Sequence, residues 1–255
     1  MKERRDDLLV SEVFSAIQGE GALVGHRQVF LRLTGCNIRC EYCDQPEALE
    51  RKPGPCRLER TAGRRDWDQR HSPLPFAEVV DAVDRLWRAL PHHSVSVTGG
   101  EPLMQAGRLA SLAPRLVERG HRLSLETNGM LIDGVVRVLP WLSHVSMDIK
   151  LDSVDGQGVS LGSHRHFLEV AVAACPTSVK IVVGADTSPD ELDQAVAMVA
   201  ELAPATEVFL QPVTPFGDVT AAPTPEQLLE LHDRALRIHA PTRVVPQTHK
   251  IIGQL

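Results

Sequence analysis

The sequence predicts an α/β chain, with parallel strands forming an open, partial β/α barrel. Two observations predict it. Short β-rich runs alternate with stretches of helical spacing along most of the 255 residues, the pattern of a parallel sheet with helices outside. Polar, glycine-rich tetrads then follow four of those runs, at the level where parallel sheets and barrels bind ligands. The strand count is too low for a closed eight-fold barrel.

In chain order, Val10–Phe14 and Val29–Leu33 read as early strands. The segment 45–75 carries Pro46, Pro53, Gly54, Pro55, Gly63, Pro73 and Pro75 among many charges, so it reads as a long loop insertion with at most one short element. Phe76–Leu90 places Val79, Val80, Val83, Leu86 and Trp87 at helical spacing. Ser94–Thr98 reads as a strand, Leu109–Arg119 as a helix, Leu123–Glu126 and Val145–Ile149 as strands and Phe167–Ala174 as a helix. Val179–Val183 follows as a strand, Asp190–Leu202 as a helix, Glu207–Gln211 as a strand, Pro225–His239 as a helix and Val244–Val245 as a last strand. No composition break divides residues 1–255, which read as one domain.

Composition narrows the function. A net charge of -6 and a pI of about 6.0 give no global basic field for nucleic acid. No run approaches the roughly 20 apolar residues of a membrane helix, and Met1–Asp7 lacks the apolar core of a signal peptide. A cytoplasmic protein without a nucleic-acid or membrane partner is expected. Among 11 histidines, His92, His93, His164 and His166 read as exposed loop residues.

Three of the five cysteines fall within eight residues, as Cys36-x3-Cys40-x2-Cys43. Disulfide frameworks do not cluster so in a cytosolic chain of this size; a metal centre does. A structural zinc site wants four ligands. The nearest fourth thiol, Cys56, lies thirteen residues beyond Cys43, across a Pro/Gly break, and reads as an unligated loop thiol. Cys175 reads as a small core residue. Three thiolates suit a [4Fe–4S] cluster that keeps one iron open to a ligand.

At this point the chain resembles the radical S-adenosylmethionine superfamily, along nearly its whole length. Tyr42 stands where that superfamily has an aromatic before the last cysteine, Cys43, and Asp44 follows it. Gly99-Gly100-Glu101 is similar to its glycine-rich turn for the methionine amino group. The resemblance implies cofactor contacts from Glu126, Asn128, Ser146, Asp148, Lys150, Gln211 and Pro212. The residue chemistry agrees: Lys150 can pair with a carboxylate and Glu126 can accept from hydroxyls.

Within the superfamily the two chain ends resemble the 7-carboxy-7-deazaguanine synthase family. The resemblance rests on Phe14-Ser15-Ala16-Ile17-Gln18-Gly19-Glu20-Gly21, on Phe30-Leu31-Arg32-Leu33, and on Gln247-Thr248-His249-Lys250 with Gly253. It implies a radical conversion of 6-carboxy-5,6,7,8-tetrahydropterin to 7-carboxy-7-deazaguanine, with hydrogen abstraction at C6, ring contraction, loss of ammonia and regeneration of S-adenosylmethionine. Mg²⁺, an electron donor such as a flavodoxin, and a homodimer are further implications. Ile17, Gln18, Gly19, Glu20, Arg32, Thr98 and His249 are then expected at the substrate, joined by the carboxylate of Leu255. Glu20, Arg32 and His249 would position it, the radical itself coming from the cofactor. Where the family has Thr or Ser as a Mg²⁺ ligand, this chain has Gln45, whose oxygen lies two bonds further out; Mg²⁺ demands short octahedral contacts. Two other readings stay open: a radical activase or other radical enzyme with a different substrate, and a zinc module using Cys36, Cys40, Cys43 and Cys56.

Overall fold

The computed structural model describes residues 6–156, 158–217 and 219–254. Its main sheet is built from β2 (Val10–Ile17), β3 (Arg27–Leu33), β4 (Gly54–Glu59), β5 (Trp67–Ser72), β7 (Ser94–Gly99), β8 (Leu123–Thr127), β9 (Leu142–Ile149), β10 (Thr177–Val183), β11 (Val208–Pro212) and β12 (Thr242–Val244). Two short strands, β1 (Asp7–Leu8) and β6 (Leu74–Pro75), pair separately. The order β12-β11-β10-β9-β8-β7-β3-β2-β4-β5 leaves β12 and β5 as two unjoined edges. The sheet is therefore an open barrel. Its run from β12 to β3 is parallel, and β2 joins β3 antiparallel.

The helices α1 (Phe76–Ala89), α2 (Ala106–Val117), α3 (Ile132–Val138), α5 (Leu161–Val172), α6 (Pro189–Leu202) and α7 (Pro225–Ile238) are joined by two single turns, α4 (Asp152–Asp155) and α8 (Thr248–Ile251). Their starts are legible locally. Thr224 and Gln227 form a capping box around Pro225, and Ser188 accepts from the amide of Glu191 with Pro189 in the first turn. Helix α1 turns Phe76, Val79, Val80, Val83 and Leu86 inward; each such side chain contributes about 1.5–3 kcal/mol on burial. Among the described residues no helix is long and apolar enough to cross a membrane.

The parallel strands alternate with period two. On β7, Val95 and Val97 join the apolar core while Ser94, Ser96 and Thr98 form the other set. On β8 and β9 that second set continues as Ser124, Glu126, Ser146 and Asp148. The barrel interior is thus polar, and its lower part closes by hydrogen bonds: Gln28 Nε2 donates to Ser94 Oγ at 2.7 Å, and Gln18 Nε2 to Gln28 Oε1 at 2.9 Å.

Two expectations are corrected. Segment 45–75 is not mainly loop. It contains the β4–β5 hairpin, which extends the sheet beside β2. Cys56 and Leu58 face the core with Arg57 between them, Glu59 is buried as well, and the hairpin turn closes through Arg60 N to Asp66 O at 2.8 Å. Proline density hid this strand; Pro55 lies where β4 has only β5 beside it, so its missing donor costs no pairing with β2. Secondly, His164 is fully buried on α5, where its Nε2 accepts from Lys150 N at 3.1 Å. His92 is half-buried against Ser15 Oγ at 2.7 Å. Cys56 and Cys175 are both buried in the core.

Candidate functional site

One cavity opens at the C-terminal ends of the strands, and its wall draws on both chain ends. Cys36, Cys40 and Cys43 all line it, on the loop after β3, with Tyr42, Asp44 and Gln45. Gly99, Gly100, Thr98, Glu126, Asn128, Asp148, Lys150 and Gln211 face the same space. So do Ile17, Gln18, Gly19, Glu20, Arg32 and His249. Burial holds the Cys40 thiol up at about 11 and raises that of Cys36. Among the described residues no three His, Cys, Asp or Glu side chains are placed so as to hold a metal ion.

The glycine turn packs directly on the cysteine loop. A Cβ on Gly100 would lie 2.6 Å from Gly35 O and 2.9 Å from Cys36 Cβ, and Gly99 has φ +146°. Only glycine permits that approach. Glu101 does not face the cavity. It is fully buried and accepts from Leu103 N at 2.9 Å, Thr127 Oγ1 at 2.9 Å and Asn128 N at 2.8 Å, welding the turn after β7 to the turn after β8. Burial lifts its carboxyl to about 7 against those donors. Ser146 lines a small adjoining pocket with Gln18, Glu20 and His144, and Pro212 ends β11 outside the cavity wall. Leu255 lies outside the described residues.

The wall beside the cysteine loop keeps unmet hydrogen-bonding capacity. Asn128 donates to Asn37 Oδ1 at 2.8 Å, yet among the described residues its own buried Oδ1 has no partner, and neither does Gln211 Oε1. Buried polar atoms of native proteins find partners, so two orphan acceptors on one wall fit a ligand carrying N–H or O–H groups. Glu126 is already engaged, accepting from Gln18 Nε2 and Ser96 Oγ at 2.7 Å and from Thr98 Oγ1 at 3.1 Å. It ties the two halves of the cavity together.

Between the halves runs a chain of alternating charges. Lys150 Nζ lies 3.2 Å from Tyr42 OH and 2.9 Å from Asp148 Oδ2; Lys180 Nζ lies 3.2 Å from Asp148 Oδ1 and 2.5 Å from Glu20 Oε2. Burial alone would lower both lysines, but the facing carboxylates hold them charged well above the ordinary value. Burial would likewise raise Glu20, but Lys180 and the Gln247 amide hold its carboxyl at about 2. Lys180 and Gln247 were not among the expected site residues. The signal for Lys180 was present: a lysine in the middle of Thr177–Val183 (TSVKIVV) shares the polar interior set, in register with Asp148.

Two groups expected at the substrate, Arg32 and His249, and one expected at the cofactor, Asp44, are held internally. Arg32 donates through Nε to Glu12 Oε1 at 2.8 Å, and Arg57 shares that carboxylate, so Arg32 is not a wholly uncommitted fork. Asp44 is paired with Lys250 Nζ at 2.7 Å and takes a longer 3.4 Å bond from Gln247; burial would raise its carboxyl, but Lys250 holds it low. His249 sits so close to Gly19 that any side chain there would collide with it, and burial keeps its imidazole below the usual value.

The comparisons agree with this geometry. Residues 31–175 match the Radical SAM superfamily. A 7-carboxy-7-deazaguanine synthase of Geobacter sulfurreducens is 40% identical, over 96% of this chain and 97% of that protein. One of Thermococcus kodakarensis is 32% identical, over 97% and 99%. The crystal structure of QueE from Escherichia coli aligns with a TM-score of 0.62 at 20% identity, covering 94% of this chain and 93% of that one. A structure of TYW1 with a lysine-pyruvate adduct bound aligns at 0.54 and 14% identity, covering 85% and 75%. Those two likenesses show the shared fold. The identity, sustained from end to end and not only across the cysteine loop, settles the lineage: the chain belongs to the radical S-adenosylmethionine superfamily and, within it, to the 7-carboxy-7-deazaguanine synthase family.

Proposed function

We propose that this chain converts 6-carboxy-5,6,7,8-tetrahydropterin to 7-carboxy-7-deazaguanine with loss of ammonia, a step of queuosine-type deazapurine synthesis. One observation carries the reading: the cysteine loop and the runs at both chain ends, far apart in sequence, line a single cavity. When bound, the [4Fe–4S] cluster and S-adenosylmethionine supply the one-electron chemistry that removes a hydrogen atom from the substrate.

The chain's own residues hold and shield. Cys36, Cys40 and Cys43 hold the cluster, and Gly99-Gly100 let the backbone reach the methionine end. Lys150 faces the methionine carboxylate, and Asn128 Oδ1 and Gln211 Oε1 accept from the nucleoside. Gln18, Glu20 and His249 read the amide-like edge of the pterin, while Arg32 and Lys180 lie on the side that takes its carboxylate. Glu20 is ionised and His249 neutral near pH 7, which gives the site an acceptor and a switchable donor–acceptor.

Asp44 and Gln45 fit a Mg²⁺ ion poorly. The Asp44 carboxylate already faces an ammonium group, and Gln45 offers a long flexible stem in place of a short hydroxyl. Weak Mg²⁺ dependence follows. A cytoplasmic homodimer reduced by a flavodoxin-type donor completes the proposal.

The test is anaerobic incubation of iron-reconstituted protein with reductant, S-adenosylmethionine and the carboxypterin. A brown protein with about four irons per chain and a deazapurine mass are expected. A colourless protein with one zinc, or an unchanged pterin beside a brown protein, overturns the reading.

A further inference from the structure

The β4–β5 hairpin has no place in the chemistry above, although it fills most of segment 45–75. Its turn reaches the other end of the molecule: Arg65 Nη2 donates to Gly253 O at 2.5 Å. Among the described non-glycine residues Arg65 alone has a positive φ, at +56°. That left-handed backbone carries strain for a residue with a Cβ, so the surroundings must hold it.

Glu59 does so. Its carboxylate is buried, with 1% exposure for the residue, and accepts from Arg65 N and from Ser15 N of β2, both at 2.8 Å. Arg85 of α1 donates to Glu59 O at 3.0 Å. The turn itself is cross-braced by Thr61 and Asp66. The Arg65 side chain therefore projects from a rigid base anchored in the main sheet.

The segment it grips is the one that closes the substrate side. Helix α8 buries none of its residues, and Ile251 and Ile252 are 73% and 52% exposed. Apolar packing does not fix this segment, so its polar tethers do. One set lies at the cavity: Thr248 N to Gly19 O at 3.0 Å, Gln247 Nε2 to Glu20 Oε1 at 2.8 Å, and Lys250 to Asp44. A ligand competing for Glu20 or Asp44 weakens those bonds. The Arg65 tether, between two exposed residues, lies outside the cavity, where such a ligand does not compete for it. Gln254 N to His249 O at 2.7 Å carries its constraint back to the imidazole.

We infer that Arg65 is a positioning residue: the hairpin is a clasp that fixes the 247–254 segment, and with it His249, over the substrate side of the cavity. The inference rests on the proposed function for what the segment covers, but not for the clasp itself. The test uses the reconstituted holoenzyme and Arg65→Gly, which removes the guanidinium and suits the left-handed backbone, with Arg65→Lys as the conservative variant. Hydrogen exchange of amides 247–254 is expected to quicken about tenfold in Arg65→Gly, while cluster content and S-adenosylmethionine affinity stay unchanged. KM for the pterin is expected to rise about tenfold, with kcat falling much less; Arg65→Lys should recover part of both effects. Unchanged exchange at 247–254 overturns the clasp. Faster exchange with an unchanged KM overturns its role in closing the site. Faster exchange in a protein that does not turn the carboxypterin over contradicts the proposed function instead and leaves the clasp standing.

Discussion

The two halves of the cavity are built on opposite principles. The half around the cysteines is short-range in origin: a cysteine loop and three strand-end turns, with buried acceptors on Asn128 and Gln211 left without partners among the described residues. The opposite half is assembled from both chain ends and from β10, and its polar groups already hold one another, Glu20 by Lys180 and Gln247, Asp44 by Lys250. The first half is set for a ligand that fills empty bonds. The second is set for one that exchanges bonds, which costs affinity but rejects molecules unable to replace what they displace.

The largest effect should come from the cluster loop. Alanine at Cys36, Cys40 or Cys43 is expected to remove bound iron and all turnover. Cys56→Ala, in the apolar core away from the cavity, should keep iron and lose about 1 kcal/mol of stability. Iron analysis with thermal melting separates the two, and loss of iron in Cys56→Ala would break the three-thiol assignment.

Next comes Lys180, the cation shared by Glu20 and Asp148. Lys180→Met leaves the half-buried Glu20 carboxylate without its cation, while Asp148 keeps Lys150, and should cost about 3 kcal/mol near neutral pH. The sign with pH follows from Glu20. Its folded value of about 2 lies below the ordinary 4.5, so its contribution is present above 4.5 and fades as pH falls toward 2. Denaturant melts should therefore show a gap between native protein and variant that is wide at pH 7 and narrower at pH 3. A gap independent of pH would mean that Lys180 acts by packing alone.

How far the sequence reached differs between the halves for the same reason. The glycine turn, the cysteine spacing and Lys150 are local patterns and could be read directly. The open barrel followed from strand–helix alternation, although α3, unmarked by a long apolar period, went unread. Lys180 carried a local signal as a lysine inside a β-rich run, but Gln247 and the Lys250–Asp44 pair depend on how the last segment folds back over the cysteine loop, and no local spacing encodes that. The β4–β5 hairpin was hidden by its prolines, and the burial of His164 by the polar residues around it on α5.

A smaller effect should distinguish the halves by ligand. Lys150→Ala is expected to weaken S-adenosylmethionine binding about tenfold or more, through loss of a buried cation, and to leave pterin affinity nearly unchanged. Glu126→Gln should disturb both, since Glu126 joins Gln18 to Ser96 and Thr98. Equilibrium binding of each ligand to the reconstituted protein is the check; a loss confined to pterin binding in Lys150→Ala would reverse the assignment.

The smallest concerns Mg²⁺. Native protein should gain less than about twofold in rate from the ion, and Gln45→Thr should gain several-fold, because a hydroxyl one bond from Cβ suits octahedral geometry better. Strong activation of the native protein, abolished in Gln45→Ala, would make Gln45 a genuine ligand.

The central claim is a pterin ring contraction in which S-adenosylmethionine returns unchanged. Its most direct test is turnover under limiting S-adenosylmethionine, with excess carboxypterin and reductant in the absence of oxygen. The account predicts many molecules of 7-carboxy-7-deazaguanine for each molecule of cofactor supplied, with the cofactor recovered intact. Consumption of the cofactor to 5′-deoxyadenosine, with the pterin untouched, would contradict it.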